Sequence, residues 1–354
     1  MVVELVPLPL VLAANVFAGK PWGKGAAAML AGFTVLMVGL FGLFDMGGLP
    51  VLTPAGLSAQ ARFGVDAGTI VTAAAAAGFI FGPIRKDLAA FLPIDPDDPV
   101  HLMALVLSAL VLGMQITFLA FTDVLAANNA QPPLSVLDLF EDELPFLIVA
   151  VAGVGFLIRR NVAAAAKRLG LTVPAWWHVT LALTTAGIFF AFGGQMDTLG
   201  HQLTPDIARR VDATTQHVFG QLNGPVGIFA LALVPGICEE LLFRGALQPR
   251  IGIVATALLF AAIHTEYGMS LDTLAVFAIA IGLGLVRKYA NTTASCTCHV
   301  AYNLLVGLGL SGSTLNAAIA VEVLLAAATG YGIWRNRRRL TALTGGVANR
   351  AEHE

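Results

Sequence analysis

Charge is what this sequence of 354 residues has least of. Asp, Glu, Lys and Arg make up 12% of it, about half the share of an ordinary soluble domain. That excludes a water-soluble globule with a conventional charged surface. The charges nearly cancel, 20 basic against 22 acidic, and without a basic surplus nucleic acid is not expected as a partner. Cysteine is scarce as well. The three, Cys238, Cys296 and Cys298, are odd in number and lack framework spacing, so no disulfide scaffold is expected. No basic residue precedes the first apolar run, which carries Glu4 instead, and the N-terminus does not read as a cleavable signal peptide. There is no His-Glu-x-x-His string, which removes the usual zinc-protease helix.

What the sequence does have is hydrocarbon: 57% of its residues are hydrophobic. At roughly 20 apolar residues per bilayer crossing, about eleven spans are expected, centred in 2–18, 25–47, 66–84, 101–122, 144–158, 174–194, 225–243, 251–265, 271–286, 295–310 and 313–334. Lipid satisfies no bare backbone, so the spans should be helices and the fold all-α, a polytopic membrane bundle. Lys20 with Lys24, Arg85 with Lys86, Arg159 to Arg168, Arg244 with Arg250, Arg287 with Lys288 and Arg335 to Arg339 fall in alternate connections. The excess of basic residues on cytoplasmic loops then predicts an integral protein, of the cell membrane, with its N-terminus outside and C-terminus in the cytoplasm. An odd number of spans fits that arrangement. Two polar connections, Asp123 to Glu143 and Gln195 to Gly224, are expected outside as loops or interfacial helices. The second divides an accessory membrane domain (1–195) from a membrane core (225–310) that holds nearly all the intramembrane polar residues, with 196–224 as the connecting loop and 311–354 as a last span and basic tail.

Within Pro225 to Phe243 stand two adjacent acids, Glu239 and Glu240, with Arg244 one turn on. Carboxylates in hydrocarbon cost several kcal/mol even on lenient scales, so their presence asks for a role. Residues four apart nearly align on a helix, so Glu240 lies over Arg244 as an ion pair. Glu239 faces elsewhere without a local partner and is the candidate general base for a water molecule. His264 follows one turn after Phe260, and His299 and Asn303 are also four apart, so one face offers an imidazole and a carboxamide that can hold an oxyanion. Glu239, His264 and His299 are equally a donor set for a divalent metal such as zinc. Metal-bound and free water stay open at this point.

Other polar residues read as structural. Gly309-Leu310-Ser311-Gly312 is similar to the rhomboid serine string, which needs a histidine on a later membrane helix. The only later histidine is His353, in the polar tail, so Ser311 reads as a helix terminus. Cysteines two apart, Cys296 and Cys298, point away from each other and read as packing. Asp45, Asp123 and His178 fall near span ends where the interface hydrates them. Glu322 pairs within the bundle or snorkels out, and Arg337 to Arg339 read as a stop-transfer anchor.

Glu239-Glu240-Leu241-Leu242-Phe243-Arg244 resembles the Glu-Glu-x-x-x-Arg motif of the CPBP family, which contains the type II CAAX prenyl endopeptidases and the abortive-infection proteins. Phe260 to His264 resembles its Phe-x-x-x-His motif, and His299 to Asn303 its His-x-x-x-Asn motif, in the family's order. The resemblance implies an intramembrane endopeptidase in which Glu239 and His264 activate water while His299 and Asn303 stabilise the oxyanion. Its partners would be membrane lipid and a protein or peptide substrate near the bilayer. It leaves the metal undecided. Two further functions compete: a proton-coupled transporter using the same acids and histidines as a relay, and a noncatalytic scaffold or immunity-type protein of the same fold.

Overall fold

A computed structural model describes the backbone of residues 5–49 and 51–351, with side chains to 337. Glu4, the start of the first expected span, the side chains of Arg338 and Arg339, and His353 lie outside the described residues. The described chain is helical, with no β-strand. Its helices are α1 (Leu8–Phe17), α2 (Gly23–Met46), α3 (Ala59–Gly78), α4 (Gly82–Leu88), α5 (Pro99–Phe121), α6 (Val124–Asn129), α7 (Val136–Gly153), α8 (Val162–Leu169), α9 (Trp176–Leu203), α10 (Pro205–Phe219), α11 (Pro225–Glu240), α12 (Gln248–Ile263), α13 (Leu271–Tyr289), α14 (Thr292–Leu308) and α15 (Gly312–Ala351). A π-helical turn, Leu241–Leu247, joins α11 to α12.

Polar side chains tie down the helix ends, where orphan N–H groups need acceptors. Ser58, Asp98, Asp123, Asn161, Ser270 and Asn291 each accept a backbone N–H at the start of α3, α5, α6, α8, α13 and α14. Ser135 and Asp138 form a reciprocal capping box on α7. Asp45 differs from expectation. Rather than being hydrated, it is buried and accepts the N–H groups of Val51, Leu52 and Thr53, fastening the loop after α2.

Five helical segments are long and apolar enough to cross a bilayer: Gly23–Met46, Pro99–Phe121, Trp176–Leu203, the composite Pro225–Ile263 and Gly312–Arg337. The α3–α4 pair, bent by 81°, makes a sixth if it is one span. By this measure eleven is not reached. The helix α1 has only 10 residues and α14 only 17, α7 carries four acids and α13 three charges, and α11 runs into α12 through the π turn. Five crossings keep the termini on opposite sides, whereas six would return them to the same side. Large apolar side chains face outward on α2 (Met29, Phe33, Leu36) and α15 (Val321, Val323, Leu324). An exposed band of this size belongs against lipid, and the protein is an integral membrane protein.

Helices approach closely where glycine faces threonine. Gly68 of α3 meets Thr117 of α5, and Gly113 of α5 meets Thr72, where a Cβ would lie 2.5 Å from the threonine methyl. Small residues at such crossings let dispersion act over the whole interface. The leading helices also pack directly on the later ones: α5 on α12, α7 on α11, and α9 on α13, α14 and α15. The two polar connections are largely helical and interlock. Arg210 pairs with Asp123, Asn129 donates to the Thr214 hydroxyl at 2.9 Å, and the Leu134 N–H meets the Val218 carbonyl at 2.9 Å. The helix α9 runs on to Leu203, beyond the expected end at 194, because a helix satisfies its own backbone in water as well as in lipid.

Gly113→Leu is expected to lower stability by about 1–3 kcal/mol through overpacking against Thr72, read as a drop in the melting temperature of the detergent-solubilised protein.

Candidate functional site

The last turn of α11 builds the site. Gly236 lies against α14, where a Cβ would stand 3.0 Å from the Val300 backbone nitrogen. That bare contact brings α14 close enough for His299 to reach the acids. Glu240 is fully buried, and three groups meet it. Arg244 approaches its Oε1 at 3.0 Å, as an ion pair bent away from hydrogen-bond alignment. The His299 Nδ1 lies 3.1 Å from the same oxygen, and the Ser295 hydroxyl donates to Oε2. Arg244 is held in turn by the Ala280 carbonyl at 3.3 Å and by the Phe260 ring, 4.3 Å from its guanidinium carbon.

Glu239 points elsewhere. Its carboxylate lies 3.9 Å from the His264 Nε2 and 3.8 Å from the His299 Nε2. These separations are too long for direct hydrogen bonds and leave room for a bridging water. The partners of the other ring nitrogens fix the tautomers of neutral histidine. The His264 Nδ1 faces the Phe260 carbonyl at 2.8 Å, an acceptor only, so Nδ1 carries the proton. The His299 Nδ1 faces the carboxylate of Glu240, so it is protonated as well. Both Nε2 atoms therefore present lone pairs towards Glu239, and three acceptors converge on one spot. Only a donor between them, or a further proton, makes that arrangement favourable.

All of this opens on a cavity of about 920 Å³. Glu239, His264, His299 and Asn303 line it, and α1, α5 and α7 contribute the opposite wall. Asn303 is half-buried, with its amide 3.4 Å from the Leu231 carbonyl. Glu266, in the turn after α12, also faces the cavity. Burial pushes its carboxyl above the usual range, and His264 opposes that rise.

Residues 221–305 match the family model "Type II CAAX prenyl endopeptidase Rce1-like". The matched segment takes in Glu239, Glu240, Arg244, His264, His299 and Asn303. The chain is also 38% identical over 84 residues to the "Uncharacterized protein YpbD" of Bacillus subtilis (strain 168), an alignment covering 23% of this chain and 44% of that protein. The chain thus spans less than half of that relative's length. No solved structure matches.

Ser295 escaped the sequence reading, and the contacts of Phe260 went beyond it. Ser295 stands four residues before His299, so the spacing that paired His299 with Asn303 extends one turn back and marked it. Phe260 was visible as a neighbour of His264, but its ring packs 4.6 Å from that imidazole and 6.0 Å from His299. The residues set aside stay apart from the cavity. Ser311 sits at the exposed start of α15, where its N–H meets the Thr314 hydroxyl at 3.2 Å. The cysteines are free, with Cys298 packed into the apolar core between α9, α13 and α14. Glu322 packs against Gly187 of α9.

The donor set of Glu239, His264 and His299 is right in kind for zinc. Its spacing is not: bonds of 2.0–2.2 Å in a tetrahedron bring ligands to about 3.4 Å, whereas both contacts of Glu239 are wider. Among the described residues, the group of at least three such side chains closing to within 4.8 Å of one another is Asp197, His201 and Asp212, exposed at the α9–α10 corner. As arranged, the Glu239 oxygens stand farther from both Nε2 atoms than a tetrahedral zinc would hold them.

Arg244→Met should destabilise the fold by about 3–5 kcal/mol, because it strips a buried carboxylate of its cation. Adding Glu240→Gln should recover part of the loss, and chemical denaturation of the two variants in one detergent measures both.

Proposed function

We propose that this chain is an intramembrane endopeptidase that hydrolyses a peptide bond of a protein or peptide held near the bilayer. The observation that carries the reading is the Glu239 carboxylate, within 4 Å of both Nε2 atoms and open to the cavity. A water in that gap donates one hydrogen to Glu239 and the other to the His264 Nε2, which leaves an oxygen lone pair free to attack a carbonyl carbon. Glu239 takes the proton as the water attacks, and passes it to the departing amine. His264 orients the water, its own direction fixed by the Phe260 carbonyl.

The oxyanion falls to His299 and Asn303. His299 keeps its Nδ1–H on Glu240, so it donates from Nε2 only as the imidazolium. Glu240 supplies the counter-charge, with Ser295 holding the carboxylate in place. The Asn303 amide, held only by its long bond to the Leu231 carbonyl, is free to turn inward as the second donor. The match to type II CAAX prenyl endopeptidase Rce1-like proteins supports peptide hydrolysis as the chemistry. It does not extend to a prenylated substrate for this chain.

The orientation that fits best puts the basic cluster in the cytoplasm. Arg168 lies in electrostatic reach of Arg159, Arg160 and Arg287, and Arg250 in reach of Arg159, Arg160 and Arg168, which gathers the cations of separate connections at one end.

Glu239→Gln is expected to lower the cleavage rate about 10²–10⁴-fold, with melting temperature and elution volume unchanged. The assay uses purified protein and a panel of apolar peptides. Full activity in the folded variant would refute the peptidase. In the same assay 1,10-phenanthroline should leave the rate unaltered; an inhibition reversed by added zinc would make the water metal-bound.

A further inference from the structure

Glu143 belongs to none of the motifs above. It lies on α7, two residues before Pro145 and outside the Rce1-like match, yet it lines the same cavity as Glu239, His264 and His299. The residue is 9% exposed, and its Oε2 is closed off from solvent with no hydrogen-bond partner. It is in electrostatic reach of both Glu239 and Glu266. An isolated buried carboxylate among other carboxylates is among the costliest arrangements a protein can hold, unless it takes up a proton or a cation comes to it.

Among the described residues, no lysine lines the cavity. Arg250, its one lining guanidinium, directs both terminal nitrogens at the carbonyls of Ala246 and Gly153. Arg244 is committed to Glu240. The cavity walls are mostly apolar, with Leu107, Val111, Phe146 and Val276 among them. A pocket with hydrocarbon walls and an unmatched carboxylate complements an ammonium or guanidinium on an aliphatic stem.

We infer that Glu143 is a specificity subsite which takes a lysine or arginine side chain of the peptide drawn into the cavity, its stem along the apolar wall and its cation on the Glu143 carboxylate. The occupant is a peptide because the proposed peptidase reading puts one there; the chemistry recognised is the alkyl cation itself. Glu143 is thereby a residue that selects and positions substrate, supplied by a helix beyond the family segment.

The test reads binding without turnover. Full-length protein in phosphatidylcholine nanodiscs is titrated with a dye-labelled apolar peptide, N-methylated so that it is not cut, carrying either one lysine or one norleucine. The lysine peptide should bind at least about tenfold more tightly, and Glu143→Gln should erase that preference while leaving norleucine binding as it was. Equal binding of both peptides to the wild type, or a preference that survives in Glu143→Gln, overturns the subsite. In case Glu143→Gln does not fold, a hydrophobic carbodiimide applied to the wild type gives a second readout. The lysine peptide should shield Glu143 from modification and the norleucine peptide should not, and no difference between them overturns the proposal. If phosphatidylethanolamine in the nanodisc abolishes the preference, the cation is a lipid amine and the peptide assignment falls. A lysine preference in a protein that cleaves no peptide would refute the peptidase reading and leave the cation subsite standing.

Discussion

The buried carboxylate of Glu240 is the constraint from which the rest follows. Removed from water, it is tolerable only with charge and hydrogen bonds to replace hydration. Arg244 provides the first from one turn along its own chain, and Ser295 and His299 provide the second from α14. The acid therefore fastens α14 to α11, and Gly236 allows the approach by offering no side chain to Val300. Because Glu240 is occupied in this way, its neighbour is free. Adjacent positions on a helix diverge by about 100°, so the same residue type faces a structural network at 240 and an open cavity at 239.

The same network sets what the histidines present. A ring nitrogen that donates to Glu240 or to the Phe260 carbonyl leaves the other with a lone pair, and both lone pairs face Glu239. The site is thus short of protons rather than rich in donors, and His299 can donate from Nε2 only with a second proton. The Phe260 ring packs against both imidazoles, edge-on to His299, and faces the Arg244 guanidinium. A single aromatic side chain joins the structural half of the cluster to its reactive half.

The leading helices do more than add hydrophobic mass. The helices α1, α5 and α7 close the far wall of the cavity, and α5 and α7 pack on the helices that bear the motifs. Glu143, placed there by α7, gives that wall a polar point of its own.

The sequence alone settled the solvent and the secondary structure. Its lack of charge and its apolar runs admit only helices in lipid, and lone acids and histidines in those runs stand out because hydrocarbon makes them expensive. It also separated Glu239 from Glu240, since a partner four residues away is a local property of a helix. What it did not settle depends on distances between segments far apart in the chain. The number of full crossings turned on bends at α3–α4 and on the continuity of α11 with α12. Asp45 proved to be a buried loop anchor, and the tautomers of His264 and His299 were decided by which acceptor each ring met. Glu143 read as the edge of an acidic loop, because nothing local marks a residue whose significance is the cavity it faces. Periodicity reports which way a side chain leaves its own helix; only packing decides what it finds there.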